Sequence, residues 1–121
     1  MSNVVLGKTG EDSACLFLES KGYKIIERNF RCWLGEIDVI AQDKNVLVFV
    51  EVKTRYSSKC GQPFEAVHFY KQKRLVKLAQ VYLKFKKGTV NVMSRFDVIS
   101  IVYKEGQKTI EHIKNAFMAS A

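Results

Sequence analysis

Four charged residues stand where apolar ones belong. The segments Gly35-Glu36-Ile37-Asp38-Val39-Ile40 and Val48-Phe49-Val50-Glu51-Val52-Lys53 have the β-branched and aromatic composition of strands, yet carry Glu36, Asp38, Glu51 and Lys53. Side chains alternate along a strand, which puts Glu36, Asp38 and Ile40 on one face and Leu47, Phe49, Glu51 and Lys53 on one face of the next. If the tight turn at Asp43, Lys44 and Asn45 is centred on Lys44 and Asn45, opposed positions sum to 89. Asp38 then faces Glu51, Glu36 faces Lys53 and Ile40 faces Phe49, whereas a slip of one residue would set Asp38 against Val50. Two directly opposed carboxylates repel unless a positive charge sits between them. Mg²⁺ or Mn²⁺ suits that place, because Mg²⁺ is held by one or two carboxylates with water and phosphate oxygens, and the Val52 carbonyl could add a further oxygen. Lys53 can reach the same phosphate or the attacking water, so the set fits phosphodiester hydrolysis. The plainer reading is a solvated salt-bridge ladder. Against it stands Val46 to Val50, which reads as a strand buried on both faces, where charges at the end are costly unless they have a use.

The elements that must position these groups follow from periodicity and breakers. A first helix is expected from about Gly10 to Lys21, capped by Thr9 and ended by Gly22. Strands are expected at Tyr23 to Phe30, Glu36 to Gln42 and Val46 to Thr54, followed by a polar loop from Arg55 to Gln62 beside the single proline, Pro63. A long helix from about Glu65 to Lys86, ended by Gly88, groups Leu75, Leu78, Ala79 and Tyr82 on one side. Lys73, Lys77, Gln80 and Lys84 fall opposite that stripe, a basic ridge able to serve as a phosphate rail. A strand from Arg95 to Tyr103, a turn at Glu105 and Gly106, and a short strand from Thr109 to Lys114 complete the order αβββαββ. This is a single α/β domain with a mixed central sheet flanked by helices.

Composition bounds the partners. The 121 residues suffice for one domain, with 47% hydrophobic and 26% charged residues as in ordinary globular chains. A net charge of +8 favours polyanions, with nucleic acid and anionic membrane surfaces both candidates, and a DNA-rich or RNA-rich setting fits best; DNA is the expected substrate of the hydrolysis read above. A membrane span is not expected, since the longest apolar run, Val46 to Val50, is far too short, and Met1 to Lys8 lacks the apolar core of a signal peptide. The expected setting is cytoplasmic. Cys15, Cys32 and Cys60 form no C-x-x-C pair and read as free thiols, and neither His68 nor His112 has a motif that would make a catalytic cysteine.

Asp38 followed by Glu51-Val52-Lys53 resembles the D…E-x-K signature of the PD-(D/E)XK nuclease superfamily, whose core order is αβββαβ. The whole chain resembles the YraN-like family of bacterial proteins, assigned to the endonucleases and similar in fold to archaeal Holliday-junction resolvases. The matching stretches are Gly7-x-x-Gly10-Glu11, Gly35-Glu36-Ile37-Asp38, Val48 to Arg55, Arg95-Phe96-Asp97-Val98 and His112-x-x-Asn115-Ala116-Phe117, nearly the full length. Ile37, not proline, precedes Asp38, a departure shared by relatives with the Gly-Glu-Ile-Asp form. The resemblance implies that Asp38 and Glu51 bind metal, that Lys53 is the catalytic lysine, and that Glu11 projects from the first helix towards the metal. Glu11 can equally be an acidic residue favoured in a helix's first turn. It also leaves room for a homodimer, as in the resolvases, although no dimer stripe is evident. Arg55 and Lys71 are candidate phosphate contacts, with Lys71 equally able to snorkel at its helix start. Asp97 and His112 read as structural. Trp33 and Tyr56 flank the charged strands and could stack on bases, though partial burial is the commoner fate of such aromatics. A binding or scaffold protein that kept the fold without cleaving is the rival reading.

Overall fold

Lys44, with φ of +57°, makes the turn that sets the hairpin register. In a computed structural model, which describes residues 3–56, 69–86 and 92–117, this turn joins β2 (Gly35–Asp43) to β3 (Val46–Tyr56). The antiparallel rungs run from Asp43↔Val46 to Val39↔Val50, and every one sums to 89 as expected. Before them come α1 (Asn3–Ser20) and β1 (Lys24–Cys32), and after them α2 (Phe69–Phe85), β4 (Met93–Lys104) and β5 (Gln107–Phe117). The sheet order is β1-β2-β3-β4-β5, with β3 and β4 parallel and all other neighbours antiparallel. The αβββαββ order and the mixed sheet are therefore those read from the sequence.

Several boundaries differ. α1 begins at Asn3, so Thr9 lies within the helix and does not cap it. Its C-terminal stop is as expected, because Gly22 takes φ of +90° while Tyr23 N–H donates to Leu18 and Gly22 N–H to Glu19, the paired bonds of a Schellman end. β3 continues through Arg55 and Tyr56, which were expected to open the loop, because β4 pairs with it as far as Tyr56↔Tyr103. The remainder of that loop, with Cys60, Pro63 and His68, the expected helix start at Glu65, and Gly88 lie outside the described residues. Cys15 and Cys32 are free thiols.

Each sheet face carries one helix. Leu75, Leu78, Ala79 and Tyr82 of α2 pack on Ile37, Ile40, Leu47, Phe49, Phe96 and Val98, while Ala14, Cys15 and Leu18 of α1 pack on Val39, Ala41, Val48, Val50, Ile99 and Ile101. Full burial of each large aliphatic side chain contributes about 1.5–3 kcal/mol. Leu47 to Glu51 are all buried, so β3 is covered on both faces as its sequence predicts.

β5 runs past its expected end at Lys114 because it bulges around a buried acid. The β4–β5 register shifts between Phe96 and Val98, and Asn115, at φ of +52°, donates its N–H to Asp97 at 2.9 Å. Asp97 also accepts from Arg95 at 3.0 Å and is 2.8 Å from His112 Nε2, while Arg95 reaches Tyr23 Oη and Asp43. Burial pushes the Asp97 carboxyl up, but the bonds from His112, Arg95 and the Asn115 N–H together outweigh it and hold the group below the ordinary carboxylate range. Every acceptor direction is used inside the fold, which agrees with a structural role. Asp97→Asn should cost about 1–3 kcal/mol, since Arg95 and His112 would keep their burial but lose the charge. Thermal unfolding measures this, and a melting temperature equal to that of the wild type would contradict it.

A carboxylate fork as the candidate active site

The β2–β3 ladder stops at Val39↔Val50, one rung short of the charges. Beyond it the strands keep their other partners: β2 stays on β1 through Arg31↔Glu36 to Cys32↔Gly35, and β3 stays on β4. A fork results, with Asp38 and Glu51 at its base. Asp38 Oδ2 spans the opening by accepting the Val52 N–H at 2.8 Å.

The faces also change at Asp38. Ile37 belongs to the α2 core and Val39 to the α1 core, although residues two apart on a regular strand share a face. The cause lies across the ladder on β1, where the rungs Arg28↔Val39 and Phe30↔Ile37 leave Asn29 opposite Asp38, and Asn29 is in the left-handed region at φ of +55°. This corrects the expectation that Glu36, Asp38 and Ile40 share a face and that Glu36 opposes Lys53. Glu36 instead pairs with Arg31 of β1 at 2.6 Å. Its carboxylate gathers with those of Asp38 and Glu11, the three offering oxygen atoms within 4.8 Å of one another.

Glu11 arrives by a close helix–sheet approach. Gly10 is buried against β3, and a Cβ there would lie 2.0 Å from Thr54 Oγ1, so no larger residue fits at that spot. Asn29 then hydrogen-bonds Glu11, while Arg28 holds Asp12 at 2.6 Å and stands 3.9 Å from Glu11. Burial raises the Glu11 carboxyl above its ordinary value. Asn29, Arg28 and Arg31 were not singled out beforehand; their only sequence signal is the charged and amide side chains that interrupt β1.

Asp38 titrates at about 7 in the metal-free chain, pushed up by burial first and by the Glu51 charge second, with Glu11 and Glu36 adding and the Val52 N–H opposing. Burial and the neighbouring carboxylates thus both oppose ionisation of Asp38. Because the folded pKa lies above the ordinary 3.8, this group stabilises the metal-free fold fully below about pH 4 and ceases to do so as pH rises through about 7. The melting temperature in chelator should thus fall from pH 5 to pH 8 more steeply for wild type than for Asp38→Asn. Parallel curves for the two proteins would show that Asp38 has an ordinary pKa.

The other arm is basic. A cavity of about 340 Å³ is lined by Glu51, Lys53, Arg55 and Lys71 together with Val52, Thr54 and Ser100. Buried Glu51 forms an ion pair with Lys71, which places Lys71 of α2 in the site and not merely on its helix surface. Three cations stand there against one carboxylate, beside the acidic trio of Glu11, Glu36 and Asp38. Such a division suits a bound cation next to a held phosphate. The donors Glu11, Glu36 and Asp38 are hard carboxylate oxygens, the set that Mg²⁺ and Mn²⁺ prefer, and their mutual repulsion is what a divalent ion relieves. Val52 enters through its N–H on Asp38; the structure assigns no role to its carbonyl. Lys73, Lys77 and Lys84 lie exposed along α2 outside the cavity, with Lys73 Nζ 4.7 Å from the Phe69 ring centre. Among the described residues no helix is long and apolar enough to cross a membrane.

Residues 10–101 match the model of the Uncharacterised protein family UPF0102. The chain is 49% identical over 115 residues to a UPF0102 protein of Caldanaerobacter subterraneus subsp. tengcongensis, covering 93% of each. It is 50% identical over 117 residues to one of Thermodesulfovibrio yellowstonii, covering 97% of this chain and 99% of that one. A UPF0102 protein of Clostridium botulinum strain 657 is 47% identical over 117 residues, with 95% of each chain covered.

Proposed function

The chain belongs to the UPF0102 family, and from that premise we propose that it is a metal-dependent endonuclease of the PD-(D/E)XK type. It would hydrolyse phosphodiester bonds in DNA, including branched recombination and repair intermediates, in the cytoplasm. The observation that carries the proposal is the convergence of ligand oxygens of Glu11, Glu36 and Asp38 within 4.8 Å of one another, on one arm of a fork whose other arm is the Glu51-Val52-Lys53 stretch.

Glu11, Glu36 and Asp38 would hold a Mg²⁺ or Mn²⁺ ion together with Glu51, once Lys71 turns from Glu51 to the incoming phosphate. The ion, when bound, lowers the pKa of water and offsets negative charge on the phosphate. Lys53 and Arg55 line the cavity that receives the phosphate; Lys53 orients the attacking water or steadies the phosphoryl oxygens as charge builds on them. The water oxygen bonds to phosphorus and gives up a proton to solvent, while the bond from phosphorus to the leaving strand's oxygen breaks and that oxygen takes up a proton from solvent.

The test is cleavage of labelled branched, single-stranded and duplex substrates with Mg²⁺ or Mn²⁺, wild type beside Glu51→Gln. Metal-dependent products with wild type alone support the proposal. Binding without cleavage of any substrate would leave a scaffold that kept the fold, and sedimentation of the same samples would tell whether two copies act together.

The exposed lysines of α2 extend this interface. Phosphate contacts carry no sequence information, so replacing Lys73, Lys77 and Lys84 with Gln should weaken binding to all sequences alike. The slope of log affinity against log salt should flatten by up to about three units, at roughly 0.9 per lost duplex contact. Isotherms at several salt concentrations check this; an unchanged slope would take the ridge out of the interface and move attention to Arg55 and Lys71.

A further inference from the structure

Exposed aromatic side chains rim the fork. The β1–β2 prong ends in Trp33, which is 77% exposed. The β3–β4 prong ends in Tyr56, 57% exposed, its ring 5.3 Å from that of Tyr103 on the neighbouring strand. At the start of α2, Tyr70 is 72% exposed and immediately precedes Lys71, whose ammonium reaches Glu51 inside the cavity. What sets these aromatics apart from other exposed apolar residues is their place around one charged opening, which suits a partner with apolar faces. The charges between them define it: Lys53, Arg55 and Lys71 line the cavity and the chain carries +8, so the partner is a polyanion that also presents flat apolar faces.

From this we infer that the fork takes an unpaired stretch of nucleic acid, with bases stacking on Trp33, Tyr56 and Tyr70 on either side of the phosphate held by Lys53, Arg55 and Lys71. In a continuous duplex the base faces are covered by their neighbours and only phosphates and groove edges are offered. A single strand, a flap or an opened junction presents them, and stacking on aromatic side chains accepts any base. Bracing of Tyr56 by Tyr103 keeps that ring fixed before binding, which lowers the ordering cost of a stacked base. The inference rests on the nucleic-acid reading above and narrows its substrate to strands with unpaired bases.

The experiment is anisotropy in chelator, so that binding is read without cleavage, using labelled oligothymidylate, an abasic oligomer of equal length and charge, and a duplex. Wild type should bind oligothymidylate at least about tenfold more tightly than the abasic oligomer, and the fluorescence of Trp33, the single tryptophan, should be quenched on saturation. Trp33→Ala, Tyr56→Ala and Tyr70→Ala should each weaken oligothymidylate binding roughly 5- to 150-fold, the range for one stacked base. Binding of the abasic oligomer should hardly change. Trp33→Phe and Tyr56→Phe should retain most of the affinity, and melting curves check that each variant is folded. Equal affinity for oligothymidylate and abasic oligomer, or alanine variants that bind as wild type does, would overturn the inference while leaving duplex cleavage with Mn²⁺ intact. Base-dependent binding by a protein that cleaves no substrate with Mn²⁺ would do the reverse, upholding the stacking surface and removing the endonuclease.

Discussion

Asp38→Asn and Glu51→Gln should each lower metal-dependent cleavage by at least about a thousandfold while the metal-free protein melts no lower than wild type. The first effect follows because each change removes an anionic oxygen from the ion and from the charge balance of the phosphate, and electrostatic stabilisation is commonly the largest single contribution to such catalysis. The second follows from the crowding of acids. Asp38 is raised to about 7 by burial and by the Glu51 charge, so at pH 8 the metal-free fold carries a repulsion that either amide relieves. For Asp38→Asn, which removes the carboxyl that burial and its acidic neighbours push up, a rise in melting temperature of about 3–5 °C is expected for each kcal/mol released in a domain of this size. Glu51→Gln also loosens the ion pair with Lys71, so its gain should be smaller. Initial rates with Mn²⁺ and thermal melts in chelator measure the two effects on one preparation. A variant that cleaves at the wild-type rate sinks the metal assignment; one that loses both activity and stability shows that the carboxylate was holding the fold.

Lys53→Ala should remove cleavage about as completely, on the order of a hundred- to a thousandfold, and leave Mn²⁺ affinity within about twofold of wild type. Lys53 lines the basic cavity beside Arg55 and Lys71, and among the described residues it makes no ion pair with the acidic trio. Its loss should therefore reach the phosphate or the attacking water and not the ion. Calorimetric titration with Mn²⁺, run beside the cleavage assay, separates the two. Weaker metal binding in step with lost cleavage would mean that Lys53 organises the carboxylates. Lys71→Ala makes a useful contrast, because removing the counter-charge of Glu51 should change metal affinity as well as nucleic-acid affinity.

How much of this was legible beforehand depends on whether a feature is local in the chain. The hairpin register was determined by sequence, because a tight turn at Lys44 fixes which residues oppose and alternation punishes a slip by turning every apolar side chain to water. The burial of β3 and the apolar stripe of α2 were equally legible, since period-two and period-3.6 patterns are written in consecutive residues. The candidate acids and Lys53 stood out because charge in such strands is expensive. Their arrangement was another matter. The register continued on paper to Asp38 and Glu51, but β2 and β3 each have a second neighbour, and competition from β1 and β4 opens the ladder one rung earlier. The change of face at Asp38 depends on Asn29 in a strand that pairs only after folding, and no pattern within β2 announces it. Glu11 reaches the site because Gly10 permits α1 to touch Thr54, and Lys71 because the packing of α2 brings its first turn onto Glu51. Trp33 and Tyr56 are exposed at the tips of the two prongs, beyond the point where β2 and β3 part. Residue types and the periods they follow are properties of the chain by itself, whereas the distances between groups far apart in it, and the shifts in charge those distances cause, exist only once the sheet and its two helices have packed.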